Sequence, residues 1–271
     1  MRKNSWALIL ALILFLATVC ICVGWMIEIF LPSKIARVAC AESISVARET
    51  NYSEILTDNV IVQLEDSRLM QYTEGNSQCL IEGIASFCWD GSYILYLNKD
   101  SGCVYTIDSQ TPSALFTIDL ETAINTYSML ASSKWIVLRG MDSLHIYHRD
   151  LSTLRSLPLQ SDINGSDAFI IENKLICVGG AKELFTIVDL TTGGIDTIDV
   201  GMETIQCPTT ASCAYDGNKA YLSVRIRSWP DFGIKFDDGT YVIDLTNLQI
   251  EKLSDNYYKT LYFKDNYLYG E

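Results

Sequence analysis

Only two histidines occur in the 271-residue chain, His145 and His148, in the segment LHIYHRD. Imidazole is the side chain best suited to act as a base or to hold a transition metal near neutral pH. On a strand, residues three apart project to opposite faces, because side chains alternate with period two. The pair therefore cannot converge on one metal or act as a dyad. With no third histidine, little supports an imidazole-activated serine or cysteine. Gly179-Gly180, Gly193-Gly194 and Asp237-Asp238-Gly239 are turn chemistry, since none opens a helix after a strand as a phosphate cradle does. Asp237 and Asp238 could offer oxygens to Ca²⁺, yet the EF-hand ligand spacing is absent. Of nine cysteines, Cys20 and Cys22 lie in an amino-terminal apolar run. The other seven include no CxxC pair and no histidine at zinc-finger spacing, which argues against a metal site. Cys88 and Cys177 fall at apolar strand positions, and Cys207 and Cys213, flanking one loop, are the pair best placed to bridge. No catalytic, cofactor-binding or metal-ligating set is expected.

A different chemistry stands out at 225–239, RIRSWPDFGIKFDDG. It brings Trp229, Phe232 and Phe236 among Arg225, Arg227, Asp231, Lys235 and Asp237. Aromatic residues and arginine dominate the energetics of recognition surfaces. The expectation is an interaction loop built on Arg225, Arg227, Trp229, Asp231, Phe232 and Lys235. The dull alternative is an elongated hairpin that packs its own aromatics.

Positioning such a loop falls to a repeated unit. Each unit opens with a short alternating strand and a tight turn, followed by three further apolar strands. The turn residues Asp58, Asp90, Ser132, Glu172, Asp216 and Asp265 recur at steps of 32, 42, 40, 44 and 49. Four-stranded propeller blades repeat every ~40–45 residues. Asp-Gly, Asp-Asn and Glu-Asn suit two-residue hairpins, because Gly and Asn tolerate positive φ. A single small sheet with one buried face must stack on a neighbour, and radial stacking shelters the edges. The predicted fold is all-β: a β-propeller of four-stranded blades at about 52–82, 83–121, 127–159, 167–200 and 211–254, with a partial sixth at 257–271. Because the sixth unit stops after its second strand, an open or distorted ring cut from a longer propeller is expected, with 257–271 at a raw edge. The segment Ser43–Ala47 alternates as a strand lent to that last blade should.

The units DGSYILYLNKDSGCVYTIDSQTPSALFTIDL and ENKLICVGGAKELFTIVDLTTGGIDTIDV resemble the extracytoplasmic WD40-like and YVTN-like propeller repeats of bacterial envelope proteins. They also resemble the propeller domain named for the low-density lipoprotein receptor-related proteins. The resemblance covers about 52–269 as a loose pattern. Trp89-Asp90 sits in a first-strand turn rather than at the end of a third strand, so the WD40 signature itself is missing. The resemblance implies a propeller and an interaction scaffold, and transfers no catalytic residue.

Ahead of the repeats, Trp6 to Ile27 is uncharged and apolar over 22 residues. As a helix it would span roughly 30 Å, the thickness of a bilayer's hydrocarbon core. Arg2 and Lys3 precede it, which favours an amino terminus in the cytoplasm and the bulk of the chain outside. The run is longer than a cleaved signal's apolar region. The predicted plan is a cytoplasmic tip and transmembrane anchor (1–31), a juxtamembrane linker (32–51) and an extracytoplasmic ectodomain (52–271). Beyond the anchor the chain carries 32 acidic against 18 basic residues, which excludes nucleic acid and anionic lipid as electrostatic partners. The expected function is a non-enzymatic binding or scaffolding module on the cytoplasmic membrane, with a protein or cell-envelope ligand. The alternative is a propeller-type enzyme, lactonase-like or glycan-cleaving, with carboxylates or a metal in the central channel.

Overall fold

The structure, a computed structural model, describes residues 33–38, 46–48, 53–57, 60–90, 92–108, 111–141, 143–150, 154–158, 167–179, 184–198, 208–228 and 235–271. Two short strands come first, β1 (Ser33–Arg37) and β2 (Ala47–Arg48). A first antiparallel meander follows: β3 (Ser53–Thr57), β4 (Val60–Glu65), β5 (Arg68–Thr73) and β6 (Asn76–Glu82). The second is β7 (Ile84–Trp89), β8 (Ile94–Asn98), β9 (Cys103–Asp108) and β10 (Thr111–Thr117). A one-and-a-half-turn helix, α1 (Leu120–Asn125), leads to the third. That sheet is β11 (Thr126–Ala131), β12 (Trp135–Gly140), β13 (Ser143–His148) and β14 (Leu154–Pro158). The fourth is β15 (Asp167–Ile171), β16 (Lys174–Val178), β17 (Phe185–Asp189) and β18 (Ile195–Ile198). The fifth is β19 (Pro208–Tyr215), β20 (Lys219–Ser228), β21 (Lys235–Asp244) and β22 (Ile250–Ser254). The last pair is β23 (Leu261–Lys264) and β24 (Tyr267–Gly270).

Local chemistry explains the meanders. At the first turns of the second and fifth sheets an aspartate folds back onto the backbone. Asp90 Oδ1 accepts the N–H groups of Ser92 and Tyr93 at 2.8 and 2.7 Å, and Asp216 Oδ1 those of Asn218 and Lys219 at 3.0 and 2.9 Å. Between β23 and β24, Asp265 and Asn266 take φ of 50° and 61°. Two successive left-handed residues match the twist of the flanking strands.

Successive sheets meet through their first strands: β3 lies by β7, β7 by β11, β11 by β15, β15 by β19 and β19 by β23. Five buried apolar clusters fill the five joints. Between the second and third sheets, for example, lie Leu95, Leu97 and Val104 with Met129, Ile136 and Leu138. Between the fifth and sixth lie Ala214, Tyr221 and Val242 with Leu261 and Leu268. Each fully buried Leu, Ile or Val contributes roughly 1.5–3 kcal/mol relative to exposure, so the joints hold most of the stabilising area. Sheets of this kind, stacked side by side through their first strands, are the blades of a β-propeller.

The amino-terminal part departs from expectation. Residues 33–37, expected as linker, form β1, which pairs antiparallel with β24 from Ser33↔Gly270 to Arg37↔Tyr267. The ammonium of Lys34 sits 3.2 Å from the centre of the Tyr267 ring. The sixth sheet is therefore three-stranded, β1-β24-β23, and β24 is covered on both sides rather than forming a raw edge. An unpaired apolar strand is costly, and the first strand of the chain satisfies it. The strand lent is Ser33–Arg37, not Ser43–Ala47. Ala47 and Arg48 instead pair with Ile170 and Phe169, adding a fifth strand to the fourth sheet beside β15. The apolar run Trp6–Ile27 lies outside the described residues; among those described, no helix is long and apolar enough to cross a membrane.

Candidate functional site

The fifth sheet is built around the segment singled out by its aromatics and arginines. Expected as a loop over 225–239, it is mostly paired: Arg225↔Asp238, Ile226↔Asp237, Arg227↔Phe236 and Ser228↔Lys235. The strands prevail because alternation continues through R-I-R and because Arg225 faces Asp238 across the ladder. What remains as connection is 229–234, with Trp229, Asp231 and Phe232, outside the described residues. Pro208 pairs with Ile226, and β22 reaches only Thr240 through Ser254. The end of the hairpin thus runs past both of its neighbouring strands.

At the hairpin's base the side chains are well defined. The Arg225 guanidinium lies with Nε 3.5 Å from Asp238 Oδ1 and 4.5 Å from the centre of the Tyr257 ring. One level below, Ser223 Oγ accepts the Tyr258 N–H at 2.7 Å, and Ser212 Oγ donates to the Tyr258 carbonyl at 2.8 Å. Thr240 Oγ1 donates to the Asn256 carbonyl at 2.9 Å. The 256–258 segment is thereby clamped to the hairpin, and the Tyr258 ring packs over Gly270, where a Cβ would lie 2.2 Å from Cγ of the ring. Gly239 is similarly required: its Cβ would come within 2.7 Å of Tyr241 Cε2 and 2.8 Å of Lys252 Cε. Of the six residues expected to make the interaction surface, Arg225 is thus placed with its partners, and Arg227 and Lys235 are placed on the paired backbone. Tyr257, 32 residues further on, is part of the base and was not anticipated, because nothing in its local sequence marks it.

The histidines occupy the third sheet. His145 Nε2 lies 2.8 Å from Ser143 Oγ, two residues away on the same face of β13. Burial pushes the imidazole below its ordinary pKa, while the Asp119 carboxylate pulls the other way. Asp119, however, caps α1: its two oxygens accept the Thr122 N–H at 2.8 Å and the Thr122 hydroxyl at 2.7 Å. A carboxylate held in a cap does not orient an imidazole as a relay requires. His148 packs edge-on against Trp135 and bonds Asp150. Among the described residues, no three His, Cys, Asp or Glu groups come together as metal ligands. The bridge expected between Cys207 and Cys213 is not formed: Cys213 is a free thiol, and burial raises its pKa. Cys213 instead packs against the apolar cluster between the fourth and fifth sheets, and Cys207 lies outside the described residues.

No family model matches the chain, and no curated protein matches it. Several solved structures are similar in outline. The β-propeller domain of Cps50 (Swd1) from Myceliophteria thermophila has a TM-score of 0.40 at 9% identity, over 86% of this chain and 99% of that one. Hsv2 from Kluyvelomyces marxianus gives 0.43 at 10% identity, over 76% and 74%. The extracellular domain of a candidate one-component system from B. thetaiotaomicron gives 0.42 at 14% identity, over 80% of this chain but only 32% of that one. This chain thus spans about a third of that relative's length. The propeller assignment rests on the sheets themselves: the meander order, the first-strand contacts and the five filled joints.

Proposed function

We propose that the chain is a non-enzymatic binding module, held outside the cytoplasmic membrane by its amino-terminal apolar run, with the β20–β21 hairpin as its contact element toward a cell-envelope ligand. The observation that carries the reading is the hairpin: among the described residues its strands run past both neighbouring strands, and its sequence carries Arg, Trp and Phe. Location is supported by the uncharged length of Trp6–Ile27 and the preceding Arg2 and Lys3. The acidic remainder suits a soluble surface that makes contact through a defined element rather than by charge. Protease added to intact cells or spheroplasts should digest residues 33–271. Full protection with the membrane intact would contradict the orientation.

A further inference from the structure

Four large apolar side chains stand in solvent on one face of the propeller. Turns between second and third strands, and the connections between sheets, share this face: Lys99 Nζ, after β8, donates to Ser67 Oγ, after β4, at 2.8 Å, and the Ile118 N–H donates to the Gly102 carbonyl at 2.8 Å. Leu120 and Ile124 of α1, Tyr127 just beyond it and Met141 in the β12–β13 turn are 50, 70, 46 and 68% exposed. Residues four apart share one side of a helix, so Leu120 and Ile124 form a stripe. Thr126 pairs with Gly140, and a Cβ on Gly140 would come 3.5 Å from the Asn125 carbonyl. The stripe therefore runs on into Tyr127 and Met141. Its support is firm. Asp119 caps α1 through Thr122, Thr126 Oγ1 donates to the Thr122 carbonyl at 2.8 Å, and Ala123 is buried in the joint between the second and third sheets. An apolar patch held open to water in this way marks a contact surface.

The rim of the patch is acidic. Glu121, three residues before Ile124, is exposed, and so is Asp119 before Leu120. Asp100 sits in the turn that holds Gly102, where a Cβ would lie 3.6 Å from Leu120 Cδ2. The adjoining turns, tied by the Lys99 N–H to the Gly83 carbonyl at 2.8 Å and the Ile84 N–H to the Ser67 carbonyl at 2.9 Å, add Glu82 and Asp66. The cations among them are engaged: Arg68 lies 3.9 Å from Asp66, and Lys99 holds Ser67. Arg139, 5.4 Å from the centre of the Tyr127 ring, is fully buried. We infer that the Leu120–Ile124–Tyr127–Met141 patch is a docking surface for a cationic amphipathic helix of a partner protein, separate from the hairpin contact. Charge selects the occupant. A second copy of the chain, with 33 acidic against 20 basic residues, would bring like charge against the rim, as would an anionic lipid surface. A basic partner is drawn to it. Backbone chemistry selects the helix: Leu120, Ile124 and Met141 lie on a helix and a turn, whose backbones offer no ladder to an extended segment. A partner segment must then satisfy its own N–H and C=O groups, as a helix does. Apolar residues at i, i+3, i+4 and i+7 cover the patch, and flanking Lys or Arg meet the carboxylates. An interface this small belongs to the weak, transient class.

The test titrates a fluorescent helical peptide of leucine and lysine, with leucines at i, i+3, i+4 and i+7, with the full chain in a non-ionic detergent, and reads anisotropy against the detergent alone. Saturable binding is expected. Ile124→Asp/Met141→Asp should weaken it by about tenfold or more, as loss of a contact centre does. Glu121→Lys leaves the apolar stripe whole and should weaken it about threefold, the scale of an exposed charge pair. Tyr93→Asp, at an exposed ring on the opposite face, should change nothing. All three variants replace exposed side chains, so their Tm should stay within about 2 °C of the parent. No binding above the detergent blank overturns the inference. So does equal binding of a scrambled peptide or of its leucine–glutamate counterpart, or full binding by Ile124→Asp/Met141→Asp. A dimer in light scattering, or attachment to phosphatidylcholine vesicles, that is lost with Ile124→Asp would make a second copy or lipid the occupant and overturns it as well.

Discussion

Asp90 joins the second and third blades through one carboxylate. Its Oδ1 holds the turn by accepting the Ser92 and Tyr93 N–H groups, and its Oδ2 accepts the Arg149 guanidinium from the neighbouring blade. The Asp90 side chain is 5% exposed and that of Arg149 26%. Asp90→Asn keeps a carbonyl for the turn but presents an amide donor, or a neutral oxygen, to the arginine. A hydrogen bond to a charged group contributes about 1.5–3 kcal/mol, and water reaches the quarter-exposed guanidinium, so a loss of about 2 kcal/mol is expected. Asp90→Ala also removes two turn bonds at about 1 kcal/mol each, for about 4 kcal/mol in all. Arg149→Met, which strands a buried carboxylate, should cost about 3 kcal/mol. Urea unfolding read by tryptophan emission measures all three, because Trp89 adjoins Asp90 and Trp135 is buried in the next blade. The Asp90→Asn/Arg149→Met double variant should show a coupling of about 1–2 kcal/mol. Simple additivity would refute the joint as an energetic link, and Asp90→Ala no worse than Asp90→Asn would refute the turn contribution.

Two further outcomes follow from the same geometry. Gly270→Ala drives a methyl into the Tyr258 ring and should cost about 1–3 kcal/mol; with Tyr258→Ala already present, the added cost in urea unfolding should shrink without vanishing, because the Cβ at position 258, 2.8 Å from the new methyl, remains. At Asp189 burial opposes ionisation, yet the Lys174 ammonium and Thr192 hold its pKa down to about 2 from 3.8. A depressed folded-state pKa contributes stability above the unfolded value and loses it as pH falls from about 4 to about 2. Discounted for its partial exposure, the contribution is about 1 kcal/mol. Thermal melts across that window should therefore fall less steeply for Asp189→Asn than for the parent.

The all-β class and the four-stranded meanders were legible because their causes are local: alternating strands, and Asp or Ser at turns where the side chain bonds the backbone two and three residues on. What escaped is non-local. β1, SKIAR, has little alternation of its own and becomes a strand only by pairing with β24, more than 200 residues away. Tyr257 joins the hairpin base through a ring contact with Arg225 that no spacing announces. At 225–228 the turn-rich composition that follows masks a continuing strand. α1 had its signal, Asp119 three residues before Thr122 as a cap, but six residues are too few to show a helical period.

The claim that the β20–β21 hairpin is a contact element, not core, is tested most directly by Trp229→Ala/Phe232→Ala in the full-length chain. Photo-cross-linking to envelope lipid or protein in intact cells is measured on the same preparation as the melting temperature. The account predicts that cross-linking is lost while Tm stays within about 2 °C, since exposed substitutions cost within about 0.5 kcal/mol. Retained cross-linking, or a Tm lower by about 10 °C as buried aromatics would give, would contradict it.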